Sequence, residues 1–178
     1  MNTVRENNVK KLLDIRGTQN YWKDHYNAIK NLEVTVTNLS EGHVTFPNFK
    51  SRIGDATNLY DIKDNEYDLV FSNSVIEHLF RKDNQKKMAE EIKRVGKSYF
   101  IQTPNRFFPL EPHFLVPFFQ FFPFAWQLFL LRNFHLGHVG KISEKERAKE
   151  QINEIRLLSR NEFKELFSEA TIFEEKFL

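Results

Sequence analysis

The sequence predicts an α/β fold, a doubly wound and mostly parallel sheet with helices on both faces. Along most of the 178 residues, short apolar segments that end in small polar residues alternate with segments of helical periodicity. The clearest strand is Leu69–Phe71, an apolar run that stops at Ser72-Asn73-Ser74. Such a stop is typical of the carboxyl end of a buried parallel strand, where open α/β sheets bind their ligands.

The composition limits the classes of function. Hydrophobic residues make up 40% of the chain and charged residues 28%, which indicates a single globular domain over residues 1–178. Lysine plus arginine number 26 against 24 acidic residues, so the charge gives no case for nucleic acid as a partner. The absence of cysteine excludes disulfides, thiolate metal ligands and a cysteine nucleophile. The first residues contain no apolar run, so we expect a cytoplasmic protein.

Strand and helix signals follow one another along the chain. Apolar or alternating runs predict strands at residues 9–15, 33–39, 49–53, 69–71, 97–103 and 171–178. Helical spacing predicts helices at 21–29, 83–95 and 163–170, and Gly96 supplies the stop of the second. Ser143 with Glu146, and Ser159 with Glu162, have the spacing of a capping box and predict two helix starts.

Three loops follow the first three predicted strands and should meet at one edge of the sheet, because parallel strands end on the same side. They are residues 14–20, 38–40 and 55–56. The first loop can offer backbone N–H groups to an anionic group, the second a polar side chain to ribose, and the third a carboxylate to an exocyclic amine. Asp14, Asn38 and Asp55 fit equally well as cap or turn residues, so the prediction rests on their order and spacing.

Four segments of the sequence resemble the motifs of a known family, namely residues 12–20, 54–59, 67–79 and 99–106. They resemble the motifs of class I S-adenosylmethionine-dependent methyltransferases, in particular the small-molecule branch called type 11. The resemblance implies a Rossmann-like sheet, here without the usual seventh strand, that binds S-adenosylmethionine and transfers its methyl group to an acceptor. We expect this acceptor to be a small or lipid-like molecule. It implies cofactor contacts at Asp14, Gly17, Thr18, Asn38, Leu39, Asp55, Ala56 and Asn73.

Some positions depart from the family's motifs. Arg16 stands where the first glycine of the glycine-rich motif is usual, and its side chain is expected to obstruct the methionine part of the cofactor. Asn20 stands at the last glycine, and Asn38 replaces the usual acidic residue at the end of the second strand. We therefore expect weakened cofactor binding, and the alternative function is an inactive methyltransferase-like module that binds a partner.

Methyl transfer needs a positioned acceptor and a group that removes its proton. His78 follows the fourth predicted strand and His113 the fifth, so both are candidates for this base, although the sequence favours His78 as a residue that orders its loop. His135 and His138 have the spacing of a metal-binding pair. A metal ion needs more ligands than two, and none is evident, so we expect no metal site.

An insertion at about residues 107–136 contains ten of the 19 phenylalanines. Within it, residues 114–131 carry no charge. Three interpretations remain open, namely a cap over an apolar acceptor pocket, an interfacial segment that contacts a membrane, and a packing or dimer surface. The missing seventh strand leaves a sheet edge that a second copy of the chain would cover, which also allows a homodimer.

Overall fold

The computed structural model describes residues 9–174. Its main sheet has five strands, all parallel, in the order β3-β2-β1-β4-β5. The strands are β1 (Lys11–Ile15), β2 (Glu33–Asn38), β3 (Phe49–Ile53), β4 (Leu69–Asn73) and β5 (Tyr99–Gln102). The predicted α/β fold is confirmed, and the strand order reverses between β1 and β4, which is the switch point where such sheets bind ligands.

Alternation along the strands separates the two faces of the sheet. On one face, Leu12 and Asp14 of β1 share a side with Trp22 and Ile29, which come from helices α1 (Gln19–Trp22) and α2 (Tyr26–Ile29). A 3₁₀ turn at Lys23–His25 separates these helices, so the predicted helix at 21–29 is not continuous. The other face carries α3 (Lys82–Val95). Gly96 follows this helix, and a side chain there would clash with the sheet, because a Cβ would lie 2.5 Å from Val70 Cγ2.

The chain divides into two compact units. The sheet unit comprises the residues up to Ile76 together with Lys82–Gln102, and the Phe-rich unit comprises Glu77–Arg81 together with the residues from Thr103 onward. The main sheet lies in the first, and the predicted insertion at 107–136 lies in the second. That the two units act as one domain stays a prediction.

The Phe-rich unit consists of short elements around a core of its own. They are the hairpin strands β6 (Leu110–Glu111) and β7 (Val116–Pro117), a 3₁₀ turn at Phe119–Phe121, and helices α4 (Phe124–Asn133), α5 (Lys145–Asn153) and α6 (Arg160–Leu166). The core contains Phe114, Phe119, Leu131, Leu136, Ala148 and Ile152. The charge-free segment 114–131 therefore packs partly inside its own unit. No helix of the described residues has the length and apolarity needed to span a bilayer.

Two predictions in this unit are wrong. Ser143 does not cap a helix, because Arg132 Nε donates to the Ser143 carbonyl oxygen at 3.1 Å and α5 begins only at Lys145. Residues 171–174 form no strand, and the rest of the strand predicted at 171–178 lies outside the described residues. The second capping box is confirmed, because Ser159 Oγ accepts from the Glu162 backbone N–H at 3.2 Å and Glu162 accepts from the Ser159 backbone N–H at 2.9 Å.

Candidate functional site

The end of β1 places the carboxylate of Asp14 inside the sheet unit. Asp14 is 1% exposed, and its Oδ2 accepts a hydrogen bond from Trp22 Nε1 at 2.7 Å. Its Oδ1 is buried and accepts none from the residues that the structure describes. Burial raises the pKa of Asp14 to about 7, against the opposing effect of the Trp22 bond. An oxygen at the switch point is thus left for a donating or cationic ligand.

The loop after β1 packs directly against this carboxylate. A Cβ at Gly17 would stand 1.8 Å from Asp14 Oδ2, so only glycine fits there. Arg16 has a φ of +56°, the left-handed conformation that glycine adopts without strain and that costs other residues about 1–2 kcal/mol. The Arg16 side chain is exposed, and its backbone N–H donates to the Thr37 carbonyl oxygen at 2.7 Å. The loop therefore keeps a glycine-type backbone at a position that carries arginine.

The end of β2 holds the same loop in place. Asn38 is half-buried, and its Nδ2 donates to the Gly17 carbonyl oxygen at 3.0 Å. Thr18 is exposed and precedes α1 without a side-chain cap bond, and Leu39 is exposed after β2. The structure thus joins Asp14, Gly17 and Asn38 into one contact network.

The ends of β3 and β4 differ in what they leave available. Asp55 Oδ1 accepts from the Thr57 backbone N–H at 2.8 Å and from Thr57 Oγ1 at 2.9 Å, so this oxygen serves a turn. Ala56 is the next residue and is buried. Both residues follow β3, which β2 separates from β1 and Asp14. Asn73 is half-buried at the end of β4.

Tyr21 is influenced by both Asn73 and Asp14. Burial of the Tyr21 phenol and the negative charge of Asp14 raise its pKa, whereas a hydrogen bond with the Asn73 side chain lowers it. The sequence placed Tyr21 and Trp22 on the apolar face of a helix, and it gave no signal of their polar contacts. Thr37 Oγ1 and Ser72 Oγ are also buried without a hydrogen-bond partner among the described residues. Neither was predicted from the sequence as a site residue.

A second group of titratable side chains lies in the Phe-rich unit and includes both predicted bases. The ring centroids of His78 and His113 are 5.0 Å apart, with planes 89° apart. His113 Nδ1 bonds Glu111 Oε1 at 2.7 Å. Burial acts to lower the pKa of His113, but the bond to Glu111 and the charges of Glu111 and Glu77 outweigh it and raise this pKa.

Glu77 and Glu111 are the two buried carboxylates of this group. Glu111 Oε2 accepts from the backbone N–H groups of His113 at 2.8 Å and Phe114 at 2.7 Å. Glu77 is 0% exposed, and its Oε2 accepts from Thr103 Oγ1 at 3.0 Å. Burial raises the pKa of Glu77, and its Oε1 has no hydrogen-bond partner among the described residues. The sequence did not single out Glu111, although the spacing Glu111-Pro112-His113 was visible.

The fold agrees with the comparisons with known proteins. The type 11 methyltransferase domain family matches residues 17–99, from the loop after β1 to the start of β5. Two uncharacterized proteins of Mycobacterium tuberculosis are 38% identical over 56 residues. That stretch is 32% of this chain and 19% of the relatives, so the chain spans about a fifth of the curated proteins that it matches.

Solved structures show the same fold at low identity. One is the complex of the Haloferax volcanii Trm112 methyltransferase activator with a protein described as a methyltransferase, at a TM-score of 0.56 and 14% identity over 94% of this chain and 64% of that chain. Another, described as a methyltransferase from an antibiotic biosynthesis pathway of Anabaena variabilis, has a TM-score of 0.51 and 20% identity over 74% of this chain and 57% of that one.

Proposed function

Because residues 17–99 belong to the type 11 family of class I methyltransferases, whose cofactor is S-adenosylmethionine, we propose that this protein methylates a small or lipid-like acceptor. The cofactor supplies an electrophilic methyl group on a sulfonium, so the protein has to bind, orient and deprotonate. The proposed contacts are those expected from the sequence: Asp14, Gly17, Thr18, Asn38, Leu39, Asp55, Ala56 and Asn73.

The observation that carries the proposal is the buried carboxylate of Asp14 against Gly17. Its unpartnered Oδ1 lies at the end of β1, beside the switch point of the sheet. The methionine part of the cofactor has an ammonium group, and a charge-assisted hydrogen bond from it would compensate the lost hydration of Asp14. The residues at this strand end therefore fit the cofactor, and binding should favour the ionised form of Asp14.

Titration calorimetry with S-adenosylhomocysteine tests this part of the proposal. We expect binding that strengthens as the pH rises through about 7, since Asp14 ionises in that range. Asp14→Asn should weaken binding at least about tenfold, the size of one charge-assisted hydrogen bond. Asp24→Asn, which removes an exposed carboxylate nearby in the sequence, should change nothing. A wild-type protein that binds no ligand at millimolar concentration would rule the cofactor out.

His113 is proposed as the base, with His78 as the second candidate. The Glu111 carboxylate holds Nδ1 of His113, which leaves Nε2 to accept the proton of the acceptor as the methyl group is transferred. The raised pKa of His113 predicts that activity is lost as the pH falls through that value. Glu111→Gln should shift this acidic limb of the kcat profile to lower pH, because it removes the charge that favours the protonated ring.

An inactive module is the second candidate function, and the presence of arginine at position 16 favours it. Arg16 stands where the family has glycine, so a long side chain replaces a hydrogen atom in the loop that packs on Asp14. Arg16→Gly separates the two functions. In a degenerate enzyme it strengthens S-adenosylhomocysteine binding, whereas in a module that has lost the site it leaves binding undetectable.

The Phe-rich unit supports a lipid-like acceptor and peripheral membrane contact through residues 114–131. Exposed apolar side chains in this segment are Leu115, Phe118, Phe121, Phe124, Trp126 and Phe129. Cosedimentation with anionic liposomes tests the contact. Trp126→Ser with Phe129→Ser should release the protein into the supernatant, whereas Tyr60→Ser, which removes an exposed ring of the sheet unit, should not. A wild-type protein that stays wholly in the supernatant contradicts the membrane contact.

The outer edge of β5 supports a homodimer. Among the described residues β5 has a hydrogen-bonded strand on one side only, and Phe100 on it is half-exposed. Sedimentation equilibrium of the wild type and of Phe100→Glu tests this proposal, with a dimer expected for the first and a monomer for the second. A wild-type monomer at micromolar concentration contradicts it.

A further inference from the structure

We infer that Glu77, His78 and His113 form a binding site for a divalent transition-metal ion, with Zn²⁺ as the best fit. The site lies within the Phe-rich unit and shares no residue with the proposed cofactor site. It runs against the expectation of no metal that the sequence alone supported. The inference does not depend on methyl transfer, because metal binding is measured without turnover.

The three side chains offer a suitable set of ligand atoms. One atom from each of Glu77, His78 and His113 lies within 4.8 Å of the others. Two imidazole nitrogens and one carboxylate oxygen suit Zn²⁺ and its first-row neighbours. Two imidazoles on one tetrahedral ion, with bonds of about 2.0–2.1 Å, have ring centroids about 5 Å apart. The centroids of His78 and His113 are 5.0 Å apart, so small side-chain rotations would close the set.

Glu77 provides an independent indication of a cation. It is 0% exposed, and the described residues supply its carboxylate with two neutral donors, the hydroxyl of Thr103 and its own backbone N–H. Its Oε1 is buried with no hydrogen-bond partner among them. A carboxylate taken out of water needs a counter-charge or several donors. A metal ion beside Oε1 would supply this, and a role in packing alone would not explain why the oxygen is left unpaired.

The supporting contacts are those that metal ligands have in proteins. Histidine ligands donate one ring N–H to a carboxylate, which fixes the tautomer and leaves the other nitrogen for the metal. His113 Nδ1 bonds Glu111 Oε1 at 2.7 Å, and two backbone N–H groups hold that carboxylate in turn. Thr103 holds Glu77 in the same way at 3.0 Å. Two of the three ligands are therefore oriented before any ion binds.

Three protein ligands leave a fourth position of a tetrahedral ion open, as in catalytic rather than structural zinc sites. Water or an oxygen of an acceptor would fill that position. His78 and His113 are partly exposed, which gives an ion access from solvent. An imidazole that is bound to a metal through Nε2 cannot also accept a proton there. The metal-bound protein would thus activate an acceptor through the ion instead of through His113.

Calorimetric titration of tag-free, chelator-treated protein with ZnCl₂ tests the site. We expect one Zn²⁺ per chain, and Co²⁺ in its place should give the strong visible absorption of a tetrahedral complex. Glu77→Gln and His113→Ala should each weaken binding by more than about 100-fold, because they remove a ligand. Glu111→Gln and Thr103→Val should weaken it about 10–100-fold, the range for groups that orient a ligand.

Two controls keep the test decisive. His135→Ala with His138→Ala removes the other histidine pair, which is exposed, and should leave one tight Zn²⁺ per chain. Thr103→Val removes a single hydrogen bond, so it reports on the site even where Glu77→Gln fails to fold, and circular dichroism shows which variants are folded. The inference is overturned if the wild type binds no Zn²⁺ at micromolar concentration, or if the folded Thr103→Val and His113→Ala variants bind it as tightly as the wild type does.

Discussion

The sheet unit and the Phe-rich unit are built by different means. The sheet unit has five regular strands with a buried apolar core, and its sequence carries most of the family match at residues 17–99. The Phe-rich unit has strands of two residues, and its core is built around Phe114 and Phe119. The match ends before the Phe-rich insertion begins. The part proposed to bind the cofactor is thus the one that matches a known family, and the part proposed to meet the acceptor lies mostly outside that match.

The ionisable groups of both units lower the stability of the fold as the pH rises, but the carboxylates and the histidine do so for different reasons. Asp14 in the sheet unit and Glu77 in the Phe-rich unit have raised pKa values because they are buried, so ionisation of either weakens the fold as the pH rises. His113 also has a raised pKa, but its charged form is the one that the native state favours. Its contribution to stability is full at low pH and is lost as the pH rises through the folded pKa.

The largest expected effect tests whether the Phe-rich unit depends on its own core. Phe119→Ala removes a ring that is 2% exposed and should lower the free energy of unfolding by about 3–5 kcal/mol. Phe124→Ala is the matched control, because that ring is 44% exposed and its loss should change stability by less than about 0.5 kcal/mol. Urea unfolding followed by Trp126 fluorescence, in a Trp22→Phe background, measures both. Equal effects of the two changes would contradict the described core.

The next largest effect tests whether the buried carboxylate of Asp14 makes the stability of the sheet unit depend on pH. The pKa of Asp14 is about 7 in the folded protein and 3.8 in the reference state. Between these values the unfolded chain has released its proton and the native one has not, so stability falls as the pH rises, by up to about 4 kcal/mol. Asp14→Asn has no such loss and can still accept from Trp22, so it should exceed the wild type in stability above pH 7.

Trp22 fluorescence in a Trp126→Phe background measures this difference, because the indole donates directly to the carboxylate. The advantage of Asp14→Asn should grow from about pH 4 to about pH 7 and then stay constant, as linkage requires. An advantage that is the same at all pH values would show that Asp14 titrates normally. Asp24→Asn should give a flat difference near zero.

The sequence predicted most of the sheet unit because its signals are local. The run Phe49–Ile53 forms a strand with the predicted bounds, and β2 and α3 differ from prediction by a single residue each. The parallel register then brings the ends of β1, β2 and β4 together, so the grouping of Asp14 with Asn38 followed from topology. The predicted roles of these residues stay predictions, since packing shows contacts rather than a bound cofactor.

The rest depends on contacts between residues distant in sequence, which composition and period do not reveal. The bond from Thr103 to Glu77 across 26 positions is of this kind. Phenylalanines show no usable period at residues 107–136, because the unit alternates buried and exposed rings over turns and short helices. In the sequence, His135 and His138 have the spacing of a metal-binding pair, but both are exposed. The cluster whose atoms are close enough to share an ion includes His78 and His113, which are 35 residues apart.

A smaller effect examines the loop that packs on Asp14. Gly17→Ala places a Cβ at 1.8 Å from the carboxylate, so the loop or β1 must shift, at a cost of about 1–3 kcal/mol for overpacking. Gly42→Ala is the control, because its Cβ would meet Ser51 Oγ at an ordinary 3.4 Å. Urea unfolding followed by Trp22 should separate the two variants. Adding Asp14→Ala to Gly17→Ala should make the two changes non-additive, and strict additivity would contradict the contact.

The smallest expected effect comes from comparing two serines of the Phe-rich unit that both have the sequence spacing of a capping box. Ser159 closes a capping box with Glu162 at the start of α6, so Ser159→Ala should cost about 1 kcal/mol. Ser143 has Glu146 at the same spacing, but its carbonyl oxygen is held by Arg132 and α5 begins at Lys145 without a side-chain cap. Ser143→Ala should therefore leave stability unchanged in urea unfolding followed by Trp126. A loss of similar size for both serines would mean that the spacing alone sets the cap, and that the contact with Arg132 does not keep Ser143 out of the helix.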